Sequence, residues 1–192
     1  PFHSWAPQGY SAAPTPVAML HAGVLKKFGI YGLIQFALVF CPEGLTRWAC
    51  VAGWLIAGNL LVMAWVAIAQ KRLDDLLGNS SVMHMGYLFL GLLAATHGSA
   101  TGVVLLMVGH GLSVAGLFAV NGFVESRAGT VEMARLGGLA TRFPFVGVAF
   151  TVFAMASIGL PGLANFPGEL TIFLESFGRY PGLTVLAVLG VV

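Results

Sequence analysis

Between Trp48 and Gln70 the chain runs for 23 residues without a charged side chain. As a helix this stretch would rise about 34 Å, enough to cross a hydrocarbon core of roughly 30 Å. Lipid offers no hydrogen bonds, so a segment this apolar has to satisfy its backbone internally, as a helix does.

The rest of the chain points to the same solution. It is 58% hydrophobic and 8% charged, whereas a soluble domain carries about 25% charged residues. So few charges cannot cover a water-facing surface, and the chain is read as integral to a membrane. A net charge of +2, with scattered basic residues, offers no stripe for nucleic acid. The expected spans are about 17–40, 48–70, 76–95, 98–124, a broken one over 143–178 and a truncated one over 181–192. Cys41–Arg47 reads as a short loop, and Asp74 and Asp75 as a solvated turn beside Lys71 and Arg72. The fold class is all-α, a polytopic transmembrane helix bundle with a discontinuous helix near residues 159–168.

The broken span rests on Gly159-Leu160-Pro161-Gly162 and Pro167-Gly168, which interrupt any helix there. Unbroken, the 36 residues would be about 54 Å long, too long for one crossing. Two short spans and one discontinuous span both fit; broken helices recur in ion-moving proteins, and one broken span is favoured. Connections 71–75 and 125–142 then share one side and hold five basic residues, against Arg47 and Arg179 on the other. The excess of Lys and Arg predicts that the first side is cytoplasmic. Neither end looks like a natural terminus: Pro1-Phe2-His3-Ser4-Trp5 has no signal-peptide pattern, and the last residues lie inside an apolar run. The chain is expected to be a piece of something longer.

Against this background Lys26 and Lys27 stand out. No Asp, Glu, Lys or Arg occurs from Ser4 to Leu25 or from Phe28 to Pro42. Insertion scales put a lysine at the bilayer centre at about 2.5–3.5 kcal/mol or more, so a compensating interaction is required. The pair lies about 15 Å from either span end, too far for a lysine stem to reach the interface. Adjacent side chains diverge by about 100° on a helix, so the two are not expected to face one site. A lysine held out of water is suited to taking up and releasing a proton. His110, near the middle of its span, is either a packing histidine or a relay group, since imidazole titrates near neutral pH. Glu169 follows the break, where a helix N-terminus favours a carboxylate; that placement is compatible with a proton site. His21 is a candidate for the same water chain as Lys27, and His84 reads as structural. The histidines and Cys41 and Cys50 show no metal-ligand spacing, and the glycines lack a phosphate-loop pattern. No metal or cofactor is expected. A Lys, a His and a Glu in separate spans constitute a proton or cation path.

The motifs resemble those of the antiporter-like subunits of respiratory complex I and their relatives in multisubunit cation/proton antiporters. Pro1-Phe2-His3-Ser4-Trp5-Ala6-Pro7 resembles that family's proline-aromatic-His-x-Trp-x-Pro segment. Ala13-Pro14-Thr15 and Ala22-Gly23-Val24-Leu25-Lys26-Lys27-Phe28-Gly29 resemble its lysine helix. Ser80-Ser81-Val82-Met83-His84-Met85-Gly86, His110-Gly111-Leu112 and Asn165-Phe166-Pro167-Gly168-Glu169 follow in the family's order. The resemblance implies that Lys27, rather than Lys26, is the central lysine, His110 the relay histidine and Glu169 the acidic end of a half-channel, with His21, Lys26 and His84 as possible accessories. Glutamate at that last position resembles the M-type (chain 4) branch. The chain would then be a fragment, residues 1–192, of one transmembrane antiporter-like domain, missing a glutamate and a lysine upstream of Pro1. The implied function is proton translocation in the membrane arm of an NADH-quinone oxidoreductase, driven by redox chemistry in other subunits. No cofactor is implied in this chain, its partners would be other membrane-arm subunits and lipid, and the location a bacterial inner membrane. A subunit of a Na⁺/H⁺ antiporter or of an energy-converting hydrogenase is the alternative, and a structural scaffold whose buried charges only pair helices is a further one.

Overall fold

Residues 3–190 are described by a computed structural model. Pro1 and Phe2 of the N-terminal motif, and Val191 and Val192 of the last apolar run, lie outside the described residues. The elements are α1 (Trp5–Ala12), α2 (Thr15–Phe40), α3 (Pro42–Ile68), α4 (Leu73–Ala94), α5 (His97–Ala128), α6 (Pro144–Ser157), α7 (Phe166–Arg179) and α8 (Pro181–Leu189). Single turns at Met133–Arg135 and Leu139–Arg142 interrupt the longest connection. α2 to α5 are each long and apolar enough to cross a membrane.

Local chemistry sets the helix starts. Prolines occupy the first turns of α2, α3, α6, α7 and α8, where their missing N–H has no partner to lose. α5 opens with a reciprocal cap: Thr96 Oγ1 accepts from the Ser99 N–H, and Ser99 Oγ accepts from the Thr96 N–H, both at 2.9 Å. The same chemistry corrects two sequence expectations. Cys41–Arg47 is not a loop, because Pro42 and Glu43 start α3 directly and only Cys41 is non-helical. Nor do Asp74 and Asp75 form a solvated turn; they lie in the first turn of α4, where the helix dipole favours carboxylates. Asp74 is buried and takes Arg72 Nη2 at 2.6 Å. That hydrogen bond raises the Arg72 pKa above its usual value.

The two basic connections meet on one side, as the two spans between them require. The Leu73 N–H donates to Val131 O and the Met133 N–H to Lys71 O, each at 3.0 Å, pairing Arg72 with Glu132. At the opposite end Arg179 Nη1 donates to Ala94 O at 3.0 Å and Thr96 Oγ1 to Glu175 Oε2 at 2.7 Å.

α6 and α7 are the two halves of one crossing. The Phe143 and Phe123 rings meet at 5.4 Å. Phe153 then lies on Gly116, Asn165 on Gly109, Thr171 on Gly102 and Glu175 on Gly98. The contacts move steadily toward the start of α5, so the broken segment runs antiparallel to it in one direction. Each half has 14 residues, about 21 Å of helix and too short to span alone. Gly159 and Gly162 turn the chain between them with φ of 76° and 95°, a region L side chains rarely adopt. Against α4 and α5, the most enclosed helices, Tyr87, Leu88, Leu90, Leu106 and Ile172 are buried.

Where α7 crosses α5, a Cβ on Gly168 would come 2.6 Å from the Leu106 backbone nitrogen. Gly168→Ala should therefore force the helices apart and destabilise by about 1–3 kcal/mol, seen as a lower unfolding temperature of the full-length protein in detergent. Gly178→Ala, which meets open space, should leave that temperature unchanged or raise it. Equal behaviour of the two variants would contradict the close crossing.

Candidate functional site

The site begins at an irregularity in α2. His21–Leu25 forms a π-type turn, in which the Lys26 N–H reaches back five residues to His21 O at 3.3 Å. Such turns concentrate at functional sites. Beyond it the two lysines diverge, as their adjacency requires. Lys26 Nζ crosses to α4, donating to Ser81 O at 2.9 Å and also to Ser81 Oγ, and it lies 5.5 Å from the centre of the Tyr10 ring. Lys27, 4% exposed, instead donates to Ala22 O on its own helix at 2.5 Å and rests beside Gly111 of α5. Gly23 and Gly111 let the α2 and α5 backbones approach; a Cβ on Gly111 would stand 2.7 Å from Gly23 O.

His110 of α5 lies between these two lysines. It is 1% exposed, with Nε2 3.5 Å from Ser81 Oγ. Its Nδ1 is buried and has no hydrogen-bond partner among the described residues. The hydrogen-bonded connection from α2 to His110 therefore runs through Lys26 and Ser81, while Lys27 reaches its neighbourhood through the backbone at Gly111. The two lysines face different helices yet bracket one histidine, a result that the 100° divergence alone does not suggest. Lys26, which had no partner in the sequence reading, has one in Ser81.

His84 continues the line toward the break. Its ring centre is 5.0 Å from that of His110. Nδ1 lies 2.8 Å from Ser80 O, and Nε2 2.9 Å from Ser157 O at the end of α6. A neutral ring can donate to one of these carbonyls, and the imidazolium to both. His84 is thus wedged between His110 and the interruption of the broken span.

Past the break, Glu169 in the first turn of α7 is 5% exposed, and its Oε1 has no partner among the described residues. The other carboxylate oxygen occupies the space that a side chain on Gly159 would need. Asn165, fully buried against Gly109, has neither amide atom paired among the described residues, and Ser176 Oγ is likewise unpaired. Unpaired buried polar atoms lining a path are suited to bind water.

His21 lies on the Lys26 side. It stacks on Trp5 at 5.8 Å and touches Tyr10 at 5.1 Å. With His3, Tyr10, Lys26 and Asn59 it lines a cavity of about 500 Å³, whereas Lys27 borders a separate one with Gly23 and Gly111. Sequence reasoning did not single out Ser81 or Asn165 as candidate site residues. Both lay within quoted motifs, Ser81 ahead of His84 and Asn165 ahead of Glu169, but nothing in the spacing marked them as contacts of the lysine and the break.

Gly159→Ala should displace the Glu169 carboxylate. The test is infrared difference spectroscopy, with the carboxyl band assigned by its loss in Glu169→Gln. The band should shift in Gly159→Ala and stay in place in Gly162→Ala, which shares the positive φ but meets open space.

A family model described as NADH:quinone oxidoreductase/Mrp antiporter, TM, matches residues 1–192. NADH-quinone oxidoreductase subunit M of Pseudomonas aeruginosa is 38% identical over 192 residues, covering all of this chain and 38% of that protein. The chain therefore spans well under half of that relative. A chain in the structure of respiratory complex I from Thermus thermophilus with bound NADH superposes with a TM-score of 0.93 at 34% identity, over 100% of this chain and 41% of that one. A chain of the Mrp complex from Dietzia shares the fold, with a TM-score of 0.91 at 24% identity, over 98% of this chain and 35% of that one.

Proposed function

Because this chain belongs to the NADH:quinone oxidoreductase/Mrp antiporter membrane family, we propose that it forms part of a proton-translocating membrane-arm subunit of an NADH-quinone oxidoreductase. The observation that carries this reading is the set of buried ionisable groups on four helices of the bundle: Lys27 of α2, His110 of α5, His84 of α4 and Glu169 of α7, with His84 and His110 in ring contact. Ionisable residues at membrane depth mark ion paths.

Protons move between Lys27, His110 and Glu169, with water filling the gaps between them. Lys27, buried where α2 meets α5, holds the proton at that contact. His110 passes it on, because imidazole can accept at one ring nitrogen and release from the other. Glu169 receives it at the broken helix, where the interruption frees backbone carbonyls and room for water. NADH oxidation and quinone reduction would take place in other subunits, and no cofactor is assigned to this chain. It would act within an enzyme complex rather than as a catalyst by itself. Its partners are other membrane-arm subunits and lipid, with the side of Lys71, Arg72, Arg127, Arg135 and Arg142 facing the cytoplasm of a bacterial inner membrane.

Lys27→Ala and Glu169→Ala, made in the full-length protein within its intact complex, should each lower proton translocation in proteoliposomes at least about tenfold, in line with the loss of a positioned proton-transfer group. Unimpaired translocation by both variants would end the relay reading. Sodium-dependent proton movement without an electron donor would instead assign the chain to a Na⁺/H⁺ antiporter.

A further inference from the structure

Two lysines flank His110, and the relay described above uses only one of them. Lys26 is the one with a continuous hydrogen-bonded link to the histidine. Its Nζ donates to Ser81 O at 2.9 Å and to Ser81 Oγ, and Ser81 Oγ lies 3.5 Å from His110 Nε2. Lys27 has no such chain: its ammonium turns back to Ala22 O at 2.5 Å. Ser81 is 1% exposed, so its hydroxyl has little but these partners. A hydroxyl that accepts from an ammonium keeps its own proton free to donate.

We propose that Lys26 is a second proton-holding lysine of the path, wired to His110 through the Ser81 hydroxyl. This rests on the relay reading and adds to it a branch on the α4 side. The transfer is a two-step shift. A proton leaves Lys26 Nζ for Ser81 Oγ as the hydroxyl proton of Ser81 leaves for His110 Nε2. Lysine becomes a neutral amine, serine is unchanged, and the imidazole gains the positive charge. The His110 Nδ1 proton, which has no partner among the described residues, then departs to water toward the helix break. Rotation of the Ser81 hydroxyl, return of the remaining imidazole proton to Nδ1 and uptake of a proton by the Lys26 amine from water beside it reset the branch.

Two features fit this role. The π-type turn at His21–Leu25 ends directly before Lys26, so the irregularity in α2 sets the direction in which this residue points. Lys26 also borders the cavity shared with His3, Tyr10, His21 and Asn59. These polar side chains can hold water beside the ammonium and supply it with protons, a source separate from the Lys27 face.

The test separates a carrier from a fixed cation. Lys26→Arg keeps the charge and the donors, but arginine does not give up its proton in proteins. Ser81→Ala removes the hydroxyl and leaves Lys26 in place; Ser81→Thr restores it. Each is made in the full-length protein within its intact complex, and proton translocation is measured in proteoliposomes beside Lys27→Ala and Glu169→Ala. Lys26→Arg and Ser81→Ala should retain about a tenth or less of the translocation rate, and Ser81→Thr at least about half. Wild-type translocation by Lys26→Arg or Ser81→Ala, with Glu169→Ala inactive, would overturn the branch and leave the relay standing. Wild-type translocation by Lys27→Ala and Glu169→Ala would overturn both. If Lys26→Arg does not assemble, the Ser81→Ala and Ser81→Thr pair decides alone.

Discussion

Lys26 and Lys27 stand near the middle of α2, where neither lipid nor bulk water can solvate an ammonium, so the rest of the bundle has to. Their compensation comes from neutral oxygens rather than carboxylates: Ser81 for Lys26 and the Ala22 carbonyl for Lys27. A hydrogen-bonded but unpaired lysine keeps both protonation states within reach, whereas an ion pair would hold the charge in place. The chain does form ion pairs, but at its water-facing end, where Arg72 binds Asp74 and Arg135 binds Glu132. Fixed charge pairs brace that end, whereas the interior lysines, histidines and Glu169 form no ion pair among the described residues.

This arrangement depends on close helix contacts. α5 is the common wall: α2 docks at Gly111, the end of the interruption at Gly109 and α7 at Gly102. Without side chains at these points the backbones approach within reach of the lysine, histidine and asparagine groups. The interrupted span adds what a continuous helix cannot. Its end at Ser157 offers a carbonyl to His84, and its turn at Gly159 makes room for the Glu169 carboxylate. An unsatisfied backbone would be costly in lipid; enclosed by α4 and α5, it is sheltered and can meet polar side chains.

Much of this was legible in the residues, for definite reasons. Crossing a bilayer demands long uncharged helices, so the spans announce themselves by the absence of charge, and Gly-Leu-Pro-Gly cannot be helical. Boundaries were less visible where proline or aspartate could either break a helix or begin one. Pro42 and Asp74 both begin one, and the expected loops shrank accordingly. The choice between Lys26 and Lys27 as the residue connected to His110 was also beyond the sequence, because helix periodicity gives the angle between neighbours but not the π-type turn that sets their absolute direction.

The amino-acid sequence by itself determined that this chain is a membrane-spanning helix bundle, that the helix is interrupted near residues 159–168, and which ionisable groups lie at depth. Those properties follow from local hydrophobicity, proline and glycine, which act within a few residues. Only the tertiary structure decided that α6 and α7 form one crossing along α5, that Ser81 joins Lys26 to His110, and that His84 bridges to the break. These depend on which helix faces meet, and that is set by packing between segments distant in the chain.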